Sequence, residues 1–270
     1  EALSPDAILG LTAAFRDDPR AQKIDLGVGV YRDEQGNTPI LKTVTEAEKR
    51  RFATETTKTY IGPPGTPGFN ALVRKLMFGG NHAVLKDKRV AGVQTPGGCG
   101  ALRMGAELIK RARPDATIWV SDPTWANHVP LLGSAGIKIE TYPYYDKQTR
   151  GLNTEAMLAA LAKVPSGDLV LFHGCCHNPS GVDPQRADWQ EIAKICSERG
   201  LTPYIDLAYQ GLGDSLDDDA MGLRIMADAC PELLVASSYS KNFGLYRERV
   251  GALQIVTKTS AEVSKVQSQI

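Results

Sequence analysis

Leu233-Leu234-Val235-Ala236-Ser237-Ser238-Tyr239-Ser240-Lys241-Asn242-Phe243-Gly244-Leu245-Tyr246-Arg247-Glu248-Arg249 joins an uninterrupted apolar run to a hydroxyl-rich loop that carries one lysine. A strand covered on both faces reads as a continuous apolar segment rather than an alternating one, so Leu233 to Ala236 predicts a buried strand of a mostly parallel sheet. A lysine just past such a strand is held close to the core, where desolvation penalises the ammonium and lowers its pKa. An unperturbed lysine, with a pKa of about 10.4, leaves only roughly one molecule in a few thousand neutral at pH 7. Attack on a carbonyl needs the neutral amine. The alternative is a surface lysine on a strand-to-helix turn, and the rest of the chain has to decide between the two.

Outward from this stretch the same pattern recurs. Apolar runs at Val90 to Gln94, Ile118 to Val120, Ile137 to Tyr142, Leu169 to His173, Pro203 to Leu207 and Ala252 to Val256 predict further strands. Helical patterns lie between them, at Ala101 to Arg113, Ala126 to Ala135, Thr154 to Ala162, Gln185 to Arg199 and Asp218 to Ala229. Strands alternating with helices predict an α/β fold, a mostly parallel sheet wrapped by helices. In such sheets ligands bind beyond the carboxyl ends of the strands, which directs attention to the loops there. Nearer the start, Ser4 to Arg20 predicts a helix beginning near Ser4 or Asp6, and Thr43 to Ala53 a charged one. Between them Ile24-Asp25-Leu26-Gly27-Val28-Gly29-Val30-Tyr31 reads as a strand-like run broken by two glycines. Glycine there marks either a bulge or a close approach by another backbone or a ligand. Tyr60-Ile61-Gly62-Pro63-Pro64-Gly65-Thr66-Pro67-Gly68 reads as a rigid loop, excluded from helix and central strand, with Tyr60 presented at its head.

At 270 residues and 42% hydrophobic content, the chain can bury a large core in one domain or one and a half. Lys plus Arg equals Asp plus Glu at 31 each, so no net field draws in nucleic acid or an anionic membrane. No apolar run reaches the roughly 18 residues of a membrane span. Glu1 to Gly10 lacks the basic and apolar regions of a signal peptide. Five cysteines without framework spacing fit a reduced, cytoplasmic compartment.

The loops after the strands carry the chemistry. Gly97-Gly98-Cys99-Gly100 opens a helix, and a glycine-rich helix start offers free N–H groups and the positive end of the dipole to an anion, although a tight turn without a ligand has the same appearance. Ser121-Asp122-Pro123-Thr124-Trp125 puts a tryptophan near the same rim, either as core or as a face for a flat ligand. His173-Gly174-Cys175-Cys176-His177-Asn178-Pro179-Ser180-Gly181 has the donors of a metal site but none of the usual zinc spacings, and adjacent cysteines on an extended chain point to opposite faces. No metal is therefore expected from that run. Asn178, held extended before Pro179, can reach the cleft as an oriented donor. Asp206-Leu207-Ala208-Tyr209 follows an apolar run, and a carboxylate at a buried strand end must find a cation: a Lys or Arg salt bridge, or a cationic ring nitrogen.

An anion cradle, a flat aromatic, an asparagine, an Asp-x-x-Tyr and a strand-end lysine in successive loops together match the needs of pyridoxal 5'-phosphate. The chain resembles the aspartate and aromatic amino-acid aminotransferases, class I of the fold-type I pyridoxal-phosphate enzymes. The resemblance runs through Gly27 to Arg32, Pro96 to Arg103, Ser121 to Trp125, Cys176 to Gly181, Asp206 to Gly211 and Ser238 to Gly251, which is essentially the whole chain. It implies an N-terminal arm and part of a small domain in residues 1–35. Residues 36–270 would then be the cofactor-binding large domain, incomplete at its C-terminal end, with the small domain largely absent. Lys241 would form the Schiff base and shuttle the proton, Asp206 would keep the pyridine nitrogen protonated, and Tyr209 and Asn178 would bond the ring oxygen. Gly97, Gly98, Cys99, Ser238 and Arg249 would hold the phosphate, with Arg249 as a bidentate clamp. Trp125 would stack on the ring. Gly29, Trp125 and Asn178 would face the substrate, an amino acid or a 2-oxo acid. Tyr60 would reach the phosphate of a neighbouring subunit, which implies a homodimer with shared sites.

Two departures from the family pattern stand out. Cys99 replaces the usual Thr or Ser, and a thiol is a poorer phosphate donor than a hydroxyl, so weaker cofactor affinity is expected. The family also continues beyond Ile270, and the arginines that bind the substrate carboxylates lie in that continuation. Two other functions stay open: a lyase or decarboxylase built on the same chemistry, or a fragment that only binds cofactor or a partner.

Overall fold

A computed structural model describes residues 7–25, 27 and 29–270. The chain enters through α1 (Ala7–Asp17), α2 (Lys42–Thr54), α3 (Pro67–Phe78) and α4 (Ala83–Lys86). Then β1 (Val90–Pro96), α5 (Gly97–Ala112), β2 (Thr117–Asp122), α6 (His128–Gly133) and β3 (Lys138–Pro143) begin the alternation. A small hairpin, β4 (Tyr145–Asp146) and β5 (Gly151–Leu152), precedes α7 (Thr154–Leu161). The chain continues through β6 (Leu169–His173), α8 (Arg186–Arg199), β7 (Thr202–Leu207), α9 (Met221–Ala229), β8 (Leu233–Ser238), β9 (Val250–Val256) and α10 (Ser260–Gln267).

Seven strands form one sheet in the order β1-β9-β8-β7-β6-β2-β3. The pairs among β3, β2, β6, β7 and β8 are parallel, whereas β9 runs antiparallel to both β1 and β8. The sheet is therefore mixed at one side. Strands β6, β7 and β8 are buried at every residue, which explains their continuous apolar character. Alternate residues feed two cores: Val170, Phe172, Leu233 and Val235 pack with α3, α8 and α9, while Leu169, Leu171, Leu234 and Ala236 pack with α5 and α6. Successive side chains on a strand point to opposite faces, so a covered sheet needs apolar residues at both parities.

Three expectations need correction. Residues 24–31 do not form a strand where described, and Leu26 and Val28 lie outside the described residues, as do Ser4 and Asp6. Gly29 and Val30 instead line a pocket, and a Cβ on Gly29 would meet nothing within 4 Å, so neither a bulge nor a close approach of protein atoms accounts for the glycine there. The Tyr60 loop also ends earlier than expected, because Pro67 and Gly68 open α3. Proline suits the first helical turn, where its missing N–H has no partner to lose. Helices α3, α4 and α10 and the β4–β5 hairpin escaped the sequence reading: α4 and the hairpin are too short to show a period, and the turn-rich stretch up to Gly68 hid the start of α3. No helix among the described residues is long and apolar enough to cross a membrane.

Helix α9 approaches α8 so closely that a Cβ on Gly222 would lie 2.3 Å from Trp189, a fully buried residue. Gly222→Ala is expected to lower stability by about 1–3 kcal/mol, the usual cost of overpacking a filled core. Urea denaturation monitored by Trp fluorescence measures it.

Candidate active site

Because β9 is antiparallel to its neighbours, its amino end meets the carboxyl ends of β1 and β8: Pro96 pairs with Val250 and Ser238 with Gly251. Arg249, one residue before β9, thus arrives at the rim where the loops after β1, β2, β6, β7 and β8 converge. Gly251 makes this possible, since a Cβ there would lie 2.4 Å from the carbonyl carbon of Gly97. A pocket of about 320 Å³ opens at the rim. Of the residues expected from sequence, Gly29, Gly98, Cys99, Trp125 and Asn178 line it, together with Asp206, Tyr209, Ser238, Lys241 and Arg249. Gly97 borders it at the start of α5, where a Cβ would come within 2.5 Å of Nη2 of Arg249. Tyr60 is the exception: it is 102% exposed and is not part of this pocket.

Lys241 is placed by the turn between β8 and β9. The Tyr239 N–H donates to the Val250 carbonyl (2.9 Å) and the Ser240 N–H to Ser238 Oγ (3.2 Å), folding the chain back on β9. Asn242 Nδ2 donates to the Gln210 carbonyl (3.0 Å), which ties the turn to the loop after β7. Between these anchors Lys241 Nζ lies 4.9 Å from the centre of the Tyr209 ring. On the other side, Arg249 takes a left-handed backbone, with φ 54°, and Nη1 donates to the Tyr246 carbonyl (3.0 Å). The guanidinium is thereby turned toward the amide groups that start α5.

Asp206 is 5% exposed, at the end of β7, and its partner is neither lysine nor arginine. His128, wholly buried at the start of α6, donates from Nε2 to Asp206 Oδ2 at 2.9 Å, and its Nδ1 lies 2.8 Å from Thr124 Oγ1. Burial alone would raise the Asp206 pKa. The hydrogen bond from His128 and the nearby His128, His173 and Lys241 outweigh it and hold the carboxyl below the usual range. Burial raises the Tyr209 pKa, and the Asn178 amide beside its hydroxyl partly offsets this. Sequence reasoning missed His128, His173, Ser240 and Tyr246. The spacing Trp125-x-x-His128, a ring pair in contact at 5.2 Å, is the signal that could have revealed the first.

Cys175 and Cys176 also depart from expectation. The pair is not extended, since Cys176 has φ 50°. Asp183 accepts from the N–H groups of Cys176 (2.6 Å) and His177 (2.8 Å), which bends the loop and aims Asn178 at the pocket.

The family model for aminotransferase class I and II matches residues 21–270. An aspartate aminotransferase of Salmonella typhi is 47% identical over 269 residues, covering 100% of this chain and 68% of that protein. An aromatic-amino-acid aminotransferase of Pseudomonas aeruginosa is 49% identical, covering 98% of this chain and 66% of that protein. Among solved structures, an aromatic amino acid aminotransferase from Burkholderia cenocepacia superposes with a TM-score of 0.96 at 42% identity, covering 100% of this chain and 68% of that one. One from Burkholderia pseudomallei, covalently bound to pyridoxal phosphate, superposes with a TM-score of 0.97 at 43% identity, covering 100% and 67%. The chain thus spans about two thirds of the length of these relatives.

The histidines around the site make the fold sensitive to acid. Burial, with neighbouring histidine charge, pushes His173 down to about 3 and His177 down to about 4. Both lie below the unfolded value of about 6.5, so protons bind the unfolded chain more tightly. Their contribution is fully present above pH 6.5 and is lost as pH falls toward those values. The urea midpoint is expected to stay flat above pH 7 and to decline from pH 6.5 to 5, with each imidazole contributing up to about 1.4 kcal/mol per pH unit. His177→Gln should make the decline shallower, and a midpoint independent of pH in this window contradicts the assignment.

Proposed function

Since the chain belongs to the aminotransferase class I and II family, we propose that it moves an amino group between an acidic or aromatic L-amino acid and a 2-oxo acid such as 2-oxoglutarate, with pyridoxal 5'-phosphate as its cofactor. The observation that supports this most is the meeting in one pocket of Asp206, from the end of β7, with Lys241 and Arg249, from the two ends of the connection between β8 and β9.

The pocket suits that cofactor in shape and charge. At one end the start of α5 and the Arg249 guanidinium face each other across Gly97, with room left by the absent Cβ. Free amides at a helix start and a guanidinium are both phosphate-binding groups. At the other end the buried Asp206 is ionised and has no Lys or Arg partner, which suits a cationic ring nitrogen. When bound, the cofactor supplies an aldehyde that attaches to an amine and a protonated ring that withdraws electrons from the substrate α-carbon.

The chain's own residues do the rest. Lys241 Nζ would hold the cofactor through its amine and, when free, would move a proton at the substrate α-carbon. His128 holds Asp206 in place, and Asp206 keeps its negative charge against the ring nitrogen. Tyr209 and Asn178 donate to the ring oxygen, and Trp125 covers a ring face. Gly98, Cys99, Ser238 and Arg249 hold the phosphate, and the Gly29 backbone faces the substrate carboxylate. Residues 36–270 then form the cofactor-binding large domain, with residues 1–35 as an arm and part of a smaller one. The sheet strands, both cores and most of the pocket wall fall in the first of these. Five free cysteines agree with a cytoplasmic setting.

A homodimer with shared sites accounts for Tyr60. It stands fully exposed, and Phe52, Ile61 and Leu72 are each largely exposed as well, apolar surface that a second copy can cover. Sedimentation velocity is expected to detect a dimer, and Tyr60→Phe to weaken cofactor binding several-fold. A monomer that binds cofactor with unchanged affinity in the variant opposes shared sites.

Lys241→Ala is expected to abolish covalent attachment of the cofactor, read by mass spectrometry after borohydride reduction. Transamination between aspartate or phenylalanine and 2-oxoglutarate should fall by several orders of magnitude in a chain extended to the relatives' length. Full activity in that variant removes the proposal.

A further inference from the structure

Three buried groups at the pocket floor, contributed by α6, β6 and β7, come together: one ligand atom each from His128, His173 and Asp206 lies within 4.8 Å of the others. His128 Nε2 and Asp206 Oδ2 are 2.9 Å apart. Two donors each about 2.1 Å from one ion would be about 3.0 Å apart at right angles and about 3.4 Å apart in a tetrahedral site, so the hydrogen-bonded pair needs to open by no more than about half an ångström to take an ion. His173 is 7% exposed, yet neither of its ring nitrogens has a hydrogen-bond partner among the described residues. A buried imidazole with two unpaired nitrogens is costly, and one beside a carboxylate and a second imidazole is suited to donate its lone pair to a cation.

We propose that His128, His173 and Asp206 form a site for one divalent transition-metal ion, of the class of Zn²⁺, Co²⁺ or Ni²⁺, in the cofactor-free chain. Two imidazoles and one carboxylate favour these ions over Ca²⁺ or Mg²⁺, which take oxygen ligands. His173 and Asp206 both line the pocket, which provides an entry path and leaves remaining positions for water. His128 is prepared from behind by Thr124 Oγ1, 2.8 Å from its Nδ1. When the ion takes Nε2, the proton there moves to Nδ1 and is donated to that hydroxyl, so the neutral ring gains or loses none. Outer-shell partners of this kind fix the orientation of metal-bound histidines. The donors come from three separate elements, and none of the zinc-like spacings missing from residues 173–177 is needed.

The ion and a cationic ring nitrogen would both sit against the one Asp206 carboxylate, where their positive charges repel, so metal and cofactor exclude each other; this half rests on the aminotransferase reading, and metal binding by itself does not. The test is titration of the cofactor-free chain with Co²⁺ at neutral pH, followed by calorimetry and visible absorbance. One equivalent is expected, with a spectrum of nitrogen and oxygen ligation and no thiolate charge-transfer band. His173→Gln and Asp206→Asn should each weaken binding at least tenfold, while His82→Gln leaves it unchanged. X-ray absorption at the cobalt edge of the unsubstituted chain should detect two imidazoles, a readout independent of how the variants fold. No binding at millimolar Co²⁺, thiolate ligation, or binding insensitive to His173→Gln overturns the site. Loss of Co²⁺ on adding pyridoxal phosphate supports both halves. Co²⁺ binding that needs His173 but ignores pyridoxal phosphate keeps the metal site and counts against the cofactor's place at Asp206.

Discussion

A negative charge buried at the end of a fully covered strand is the constraint around which this structure is arranged. Asp206 has lost nearly all contact with water, and such a charge persists only when donors and positive charge surround it. His128 meets the first need through a direct hydrogen bond, and the nearby Lys241 contributes to the second. The consequence reaches outward through rings in contact. Trp125 packs on His128, His128 on His173, and His173 on His177, which in turn stacks on Tyr144. A single carboxylate thus organises the floor of the pocket and the loops after β2, β6 and β7.

The opposite end of the pocket depends on a steric constraint. Gly97 and Gly251 have no side chains because helix α5 lies against β9 and the Arg249 guanidinium at distances that a Cβ would violate. That close packing gathers the helix start, with its partial positive charge, and an arginine on one spot. A site with an acid at one end and an anion cradle at the other has a built-in direction, and Lys241 sits between them on a turn tied to both neighbouring strands. The direction is a property of the sheet edge, which explains why six separate loops contribute to it.

Much of this was legible in the residues. Continuous apolar runs such as Leu169 to His173 and Leu233 to Ala236 announced strands buried on both faces, and their loops carried Asn178, Asp206, Tyr209 and Lys241. The signals that failed were those that depend on neighbours in space. The partner of Asp206 was expected to be a cofactor or a basic side chain, but His128 lies 78 positions away in sequence. The Cys175–Cys176 pair was read as extended, and the turn held by Asp183 overrode that local preference. Pro67 and Gly68 looked like helix breakers and instead begin α3, since a first turn asks nothing of the proline nitrogen.

By itself the sequence determined the alternation of strand and helix, the chemistry of each loop, and the presence of one lysine among hydroxyls past a buried strand. These are local properties, set by apolar periodicity and by what each side chain can donate, accept or attack. Tertiary structure alone decided that β9 would run backwards and so deliver Arg249 to the rim where α5 begins. It alone decided that a histidine from α6 would cap the Asp206 carboxylate, and that His173 would be buried beside them both. Such pairings are chosen by the packing of distant segments and by the need to satisfy buried charge, neither of which leaves a mark on any short stretch of chain.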